Sequence, residues 1–252
     1  MNSYDLEGRI ALVTGARRGI GRAIALRLAA SGAVTVVSDL NMEGCEKVAA
    51  EIREAGGAGL ALRLDVSSEE DIRSAVAEIE GKYRRLDILV NNAGIYIQQE
   101  VELMATEEID RVIGVNLRGA ILCAKYSLPG MKRNRYGKIV NIASIAGFVG
   151  FPSSALHSAT KGALVAVTRD LALNYAKYGI NVNAIAPGII ETPMTAELLQ
   201  DRAEKKAILR NIPYGRIGST ADIANGVAFL VSDDSDYITG QTLVIDGGWI
   251  SV

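Results

Sequence analysis

Short β-branched apolar runs alternate along this chain with longer stretches whose apolar residues recur at helical spacing, and that alternation leaves few folds open. The runs are Ile10–Thr14, Val34–Ser38, Gly59–Leu64, Ile88–Asn91, Lys138–Ile142, Asn181–Ile185 and Thr242–Ile245. Between the first four, the sets Ile20, Ile24, Leu26, Leu28, then Val48, Ala49, Ile52, Ala55, then Ile72, Val76, Ile79 mark amphipathic helices. Strands that alternate with helices in this way cross over right-handed and build a parallel sheet covered on both faces. The expected fold class is therefore α/β, with residues 1–252 in one domain. The segment from about 189 to 218 breaks the alternation with mixed polar sequence, Pro193 and Pro213. It reads as a substrate-side insertion or lid within that domain.

Composition narrows the partners. Among 252 residues, 49% are hydrophobic and 22% charged, enough for a sizeable core, and the net charge of −2 supplies no field that would draw the chain to nucleic acid or an anionic membrane. Cys45 and Cys123 are far apart, with no CxxC pattern and no paired histidines, so neither a disulfide framework nor a metal site is expected. The N-terminus lacks a basic region followed by an apolar core. The longest apolar stretch, Ile139 to Phe151, is interrupted by Asn141 and Ser144 and is too short to span a bilayer. A cytoplasmic location is the expectation.

The first strand runs directly into Gly15-Ala-Arg-Arg-Gly19-Ile-Gly21, and a helix follows from Arg22. Glycine tolerates positive φ and lets a pyrophosphate approach the backbone, while the helix N-terminus offers N–H donors and a positive dipole end. In this strand–turn–helix setting the glycines point to a dinucleotide; a tight turn without ligand is the plain alternative. Asp39 closes the second strand, where a carboxylate accepts from ribose hydroxyls and repels a 2′-phosphate, which favours NAD over NADP. Arg17 and Arg18 argue the other way, since a guanidinium can pair with that phosphate. Asp39 could also simply lead the helix after Asn41. Asp65, at the end of the third strand, is placed either to accept from the adenine amino group or to cap a helix ahead of Ser67 and Ser68.

Thr14-Gly-x-x-x-Gly-x-Gly21, Asp65-Val66, Asn91-Asn-Ala-Gly94, Asn116, Ser144, Lys161, Pro187-Gly188 and Asp246-Gly-Gly, in this order and spacing, resemble the short-chain dehydrogenase/reductase family over essentially the whole chain. The resemblance implies a single doubly wound Rossmann-like domain with a seven-stranded sheet, and a homotetramer or homodimer. It implies a nicotinamide cofactor held by Gly15, Arg17, Arg18, Gly19, Ile20, Gly21, Asp39, Leu40, Asp65, Val66, Asn92, Ala93, Gly94, Lys161, Pro187, Gly188, Ile190 and Thr192. The Asn-Asn-Ala-Gly stretch would steady the central strand beside the adenosine half. Pro187-Gly188 and Thr192 would meet the nicotinamide end and the phosphates.

The family's catalytic set is Asn, Ser, Tyr and Lys, with Tyr-x-x-x-Lys on one helix. Here Asn116, Ser144 and Lys161 match, but the position four before Lys161 is His157, the only histidine of the chain. The i,i+4 spacing puts His157 and Lys161 on one helical face. A histidine starts near pKa ~6.5 and an adjacent ammonium depresses it, so His157 is expected to be neutral at pH ~7, a base suited to alcohol oxidation. Its Nε2 lies roughly 2 Å nearer the backbone than a tyrosine hydroxyl, so contact with substrate requires a bridging water or a deeper-seated substrate. Three readings stand: a working base in an altered site, an impaired site in an ordinary dehydrogenase, and a dinucleotide-binding protein without turnover. Ser144 would bond the substrate oxygen or cap a helix. Lys161 would hold the nicotinamide ribose or lie at the surface. Asn116, mid-helix, would hold a water linked to Lys161, as the resemblance implies, or be solvated.

The leading expectation is an NAD-dependent alcohol dehydrogenase that interconverts a secondary alcohol and its ketone. A non-catalytic NAD-binding protein and an NADPH-dependent carbonyl reductase are the alternatives. The pocket-lining segments are expected around Ile95–Val101, Ala146–Ser153 and Ile189–Leu199, with Gln98 and Gln99 as polar contacts. The apolar helices containing Val112–Tyr126 and Ala155–Tyr178 could pack on a second copy across a two-fold axis.

Overall fold

The computed structural model describes residues 4–251. Seven strands, β1 (Ile10–Thr14), β2 (Val34–Asp39), β3 (Ala58–Arg63), β4 (Ile88–Asn91), β5 (Gly137–Ile142), β6 (Ile180–Pro187) and β7 (Thr242–Ile245), form one sheet in the order β3-β2-β1-β4-β5-β6-β7. Every pairing is parallel. The strand runs read from sequence recur here with small shifts: β2 runs on to Asp39, β3 is displaced one residue toward the N-terminus, β5 starts one residue earlier, and β6 spans Ile180–Pro187. Their continuous apolar character follows from burial on both faces.

Helices α1 (Gly19–Ala29) and α2 (Met42–Glu54) pack one face together with α9 (Thr220–Val231), around Ile24, Leu28, Val48, Ile52 and Val227. Helices α3 (Glu69–Tyr83), α5 (Gly119–Asn134) and α6 (Ala155–Tyr175) cover the other, around Ile72, Val76, Leu122, Leu128 and Ala172. Ends are set locally. The Asn41 side chain accepts from Gly44 N at 2.7 Å to start α2, and Ser68 accepts from Asp71 N at 3.2 Å to start α3. At α9 Ser219 and Asp222 cap one another reciprocally.

The helix expected across Val112–Tyr126 is instead two helices. Helix α4 (Thr106–Ile113) passes into a wide π turn over Gly114–Arg118 before α5 begins. A π turn rotates the following side chains relative to an ideal helix, which apolar periodicity does not register. The segment from 189 to 218 contains α7 (Ala196–Gln200) and α8 (Arg202–Arg210), which lie over the C-terminal end of the sheet. Among the described residues no helix is long and apolar enough to cross a membrane.

Candidate active site

The chain winds outward from β1 in both directions, so the loops after β1 and β4 diverge and leave a crevice at the strands' C-terminal ends. A cleft of about 1220 Å³ occupies this place. Each position expected to hold the dinucleotide lines it, from Gly15 and Asp39 at one end to Pro187, Ile190 and Thr192 at the other.

Gly15 and Gly19 have φ of +64° and +59°, a conformation only glycine adopts without strain. Gly21 is required for a different reason: a Cβ there would lie 2.5 Å from the Gly15 carbonyl oxygen. Helix α1 has no side-chain cap and no acid in its first turn, so its leading N–H groups line the cleft without a negatively charged partner from the first turn. Asn92 holds the turn, donating from Nδ2 to the Thr14 and Gly15 carbonyls at 2.8 and 3.0 Å. The Thr14 hydroxyl accepts from the Asn92 and Ala93 amides at 3.1 and 3.0 Å. Asn91 and Asn141 bond at 2.9 Å and Asn141 reaches Thr168 at 2.9 Å, a buried polar chain tying β4 and β5 to α6.

Two polar positions carry partners of their own within the chain. Arg17 lines the cleft while its Nε pairs with Asp39 at 3.1 Å. Asp65 directs Oδ1 into its own turn, accepting from the Ser67 amide at 2.8 Å and hydroxyl at 2.6 Å, while Ser68 is the residue that caps α3. Asp65 still lines the cleft, and its other carboxylate oxygen takes no part in these two bonds.

At the far end, the turn after β5 carries Ser144 and α6 carries His157 and Lys161, and all three line the cleft. Gly147 lets that turn press against α6, since a Cβ at Gly147 would lie 3.0 Å from the Gly162 nitrogen. The Ser144 hydroxyl accepts from Ala146 N at 3.1 Å, so the capping reading and the cleft position hold together, with its proton free for a ligand. Lys161 is no surface lysine: it is buried, donates to the Ile142 carbonyl at 2.6 Å, and burial pushes its pKa down to about 8. Burial, then the Lys161 ammonium, push His157 down to about 4. The direction agrees with the sequence argument, but desolvation rather than the ammonium is the larger cause. His157 Nδ1 is enclosed with no hydrogen-bond partner, which leaves Nε2 as the nitrogen reachable from the cleft.

Asn116 is not solvated: it is buried in the π turn, where Oδ1 accepts from Ile95 N at 2.8 Å and Nδ2 donates to Ile95 O at 2.9 Å. Both ends of its amide are thus committed to the loop after β4. Gln99 also departs from expectation, its amide donating to the Leu103 carbonyl at 2.7 Å, while Gln98 does line the cleft. Tyr96, within the expected pocket segment Ile95–Val101, joins the wall, and Ile208, Asn211 and Trp249 complete it without having been expected there from sequence. The last three come from α8, the turn after it and the C-terminus, and no local pattern marks them.

The family described as enoyl-(acyl carrier protein) reductase matches residues 15–250. The chain is 40% identical over 248 residues to the 3-oxoacyl-(acyl-carrier-protein) reductase of Escherichia coli K12, covering 98% of this chain and 100% of that one. The chain belongs to the short-chain dehydrogenase/reductase family. The corresponding reductase of Thermotoga maritima is 39% identical over 245 residues, covering 97% of this chain and 99% of its own. Among solved structures, a gluconate 5-dehydrogenase from Burkholderia cenocepacia in complex with NADP and tartrate superposes with a TM-score of 0.96 at 35% identity, covering 100% and 98% of the two chains. Levodione reductase superposes with a TM-score of 0.93 at 36% identity, covering 98% and 99%. As a short-chain dehydrogenase/reductase the chain is an enzyme of the oxidoreductase class.

Proposed function

We propose that this enzyme interconverts a secondary alcohol and its ketone with NAD, using His157 as the acid–base residue. The observation that carries the reading is the convergence of Ser144, His157 and Lys161 in the same cleft as the glycine turn and Asp39. The fit to a dinucleotide rests on the positive-φ glycine cradle and the uncapped N-terminus of α1.

The nicotinamide, when bound, supplies the hydride acceptor or donor. In the oxidation direction Ser144 accepts or donates at the substrate oxygen and holds it against the cleft wall. His157 takes the hydroxyl proton at Nε2, directly or through one water, because the imidazole reaches roughly 2 Å less far than a phenol. For Nε2 to accept, the ring proton must sit on Nδ1, where no acceptor stands to stabilise the imidazolium, so His157 is a weak base that returns its proton readily. Lys161, held by the Ile142 carbonyl one helical turn from His157, would hold the nicotinamide ribose and supply a positive field that favours the alkoxide.

NAD is preferred in this reading because a 2′-phosphate would face the Asp39 carboxylate, whose pairing with Arg17 occupies the guanidinium that would otherwise welcome it. The second reading is an NADPH-dependent carbonyl reductase, and Arg18, which lines the cleft and is paired with no carboxylate among the described residues, favours it together with the NADP in the Burkholderia structure. We also propose self-association through α5 and α6, as a homodimer or homotetramer.

The test is turnover of secondary alcohols with NAD by the native enzyme and by His157→Tyr between pH 5 and 10. His157 is deprotonated above its pKa of about 4, so the native rate should be flat from pH 5 to 7 and should fall as Lys161 loses its charge through about 8. A tyrosine variant must lose its phenolic proton to act as base and should instead gain rate as pH rises. Turnover by His157→Tyr alone would sink the reading of His157 as a working base.

A further inference from the structure

Tyr96 stands in the loop after β4, opposite His157, and meets it edge to face with ring centroids 5.1 Å apart at an interplanar angle of 78°. Both ends of Tyr96 are anchored. Behind it, the Asn116 amide clamps the neighbouring Ile95 backbone through two hydrogen bonds. At its tip, the phenol bonds the Ser154 hydroxyl at 2.8 Å. Ser154 occupies the N-cap position of α6, where a serine ordinarily accepts from the helix's first amides. Here it makes no such bond; its buried hydroxyl donates to the Pro152 carbonyl at 3.1 Å, which leaves Tyr96 as donor to Ser154. A capping serine has thus been diverted to hold a tyrosine ring beside the imidazole.

We propose that Tyr96 is a positioning residue of this site, which fixes the orientation of the His157 ring and shuts water out from one side of it. The proposal rests on the reading of His157 as the acid–base residue. An imidazole with an enclosed, unpartnered Nδ1 has no hydrogen bond to set its rotation, so packing must do so. The edge of an aromatic ring is its positive rim and prefers the face of a neighbour, which fits one orientation of the pair. The same contact removes solvent from the imidazole and disfavours its cationic form. The titratable groups facing His157 are Lys161, from the next turn of α6, and Tyr96 itself. With Tyr96 in place, Nε2 is presented to the cleft, where a substrate hydroxyl would arrive.

The sole histidine makes this directly measurable, since its Cε1–H resonance needs no assignment. The full-length native enzyme, Tyr96→Phe, Tyr96→Ala and Ser154→Ala would be titrated by proton NMR from pH 8.5 to 5. The native resonance should stay at its neutral position to the end of that range. Tyr96→Phe, which keeps the ring but loses its bond to Ser154, should shift the midpoint upward by only a fraction of a pH unit, whereas Tyr96→Ala should titrate with a midpoint raised by about one pH unit or more. Ser154→Ala should move in the same direction by less, and it decides the matter should Tyr96→Ala not fold. In parallel, kcat for alcohol oxidation should fall about tenfold in Tyr96→Ala with the KM for NAD unchanged. A resonance that stays native-like in both Tyr96→Ala and Ser154→Ala would overturn the proposal. The NMR readout needs no turnover, so an enzyme inactive on every alcohol would refute the proposed function while leaving this inference to stand or fall by itself.

Discussion

At the scale of single residues, two carboxylates expected to touch the cofactor are already engaged by the chain, and only one of them by a cation. Asp39 accepts from the Asn41 amide at 3.1 Å and pairs with Arg17 at 3.1 Å. Removing it with Asp39→Ala both deletes a negative charge and frees a guanidinium at the place where a 2′-phosphate would lie. The ratio of kcat/KM for NAD to that for NADP should therefore fall at least tenfold, equivalent to about 1.4 kcal/mol. An unchanged ratio would mean that Asp39 does not face the adenosine ribose. Acid stability follows from His157. Its folded pKa, about 4, lies below the unfolded value near ~6.5, so the native state binds fewer protons and its stability should decline as pH falls from ~6.5 toward 4. Denaturant melts of the native enzyme and His157→Gln across that window should converge at the acid end on the side of the variant, with the native chain losing up to about 3 kcal/mol more.

At the scale of elements, the catalytic arrangement depends on how closely the turn after β5 approaches α6. Gly147 stands where a Cβ would press on the Lys161 carbonyl carbon and the Gly162 nitrogen, both at 3.0 Å. Backbone cannot rotate away as a side chain can, so Gly147→Ala should lift the turn by a few tenths of an ångström. Ser144 moves with it. The expected stability cost is about 1–3 kcal/mol in urea melts, and kcat should drop about tenfold or more because the oxygen-holding hydroxyl is displaced relative to Lys161. Fully native kcat in a folded Gly147→Ala enzyme would show that this spacing is not critical. The π turn over Gly114–Arg118 works in the same way at longer range, since it turns the Asn116 amide inward to the Ile95 backbone.

At the scale of the whole molecule, α5 and α6 cover one face of the sheet yet keep apolar side chains outward. Leu173 on α6 is 84% exposed, and Ile121 on α5 is 40% exposed. Apolar groups in this position are well explained by a second copy packed across a two-fold axis. Leu173→Glu would bury a charge in such an interface, and sedimentation should show a shift from dimer or tetramer toward monomer. A native enzyme that sediments as a monomer at micromolar concentration would rule the interface out.

Much of this protein was legible in its residues. The order of strands and helices, the glycine turn and the i,i+4 placement of His157 and Lys161 are all local, because the repeat of the backbone alone decides which residues share a face. The depressed basicity of His157 was legible in direction from Lys161, although its larger cause, burial, depends on residues distant in sequence. The pairing of Arg17 with Asp39, the inward turn of Asn116 and the contact of Tyr96 with His157 were not legible. Each joins segments separated by a strand or a helix, and only the packed sheet brings them within bonding distance. Periodicity and motif spacing thus specify which elements form and which face each one buries; the competition among hydrogen-bond partners inside the cleft is settled by the tertiary structure, because a side chain takes the nearest partner that packing provides.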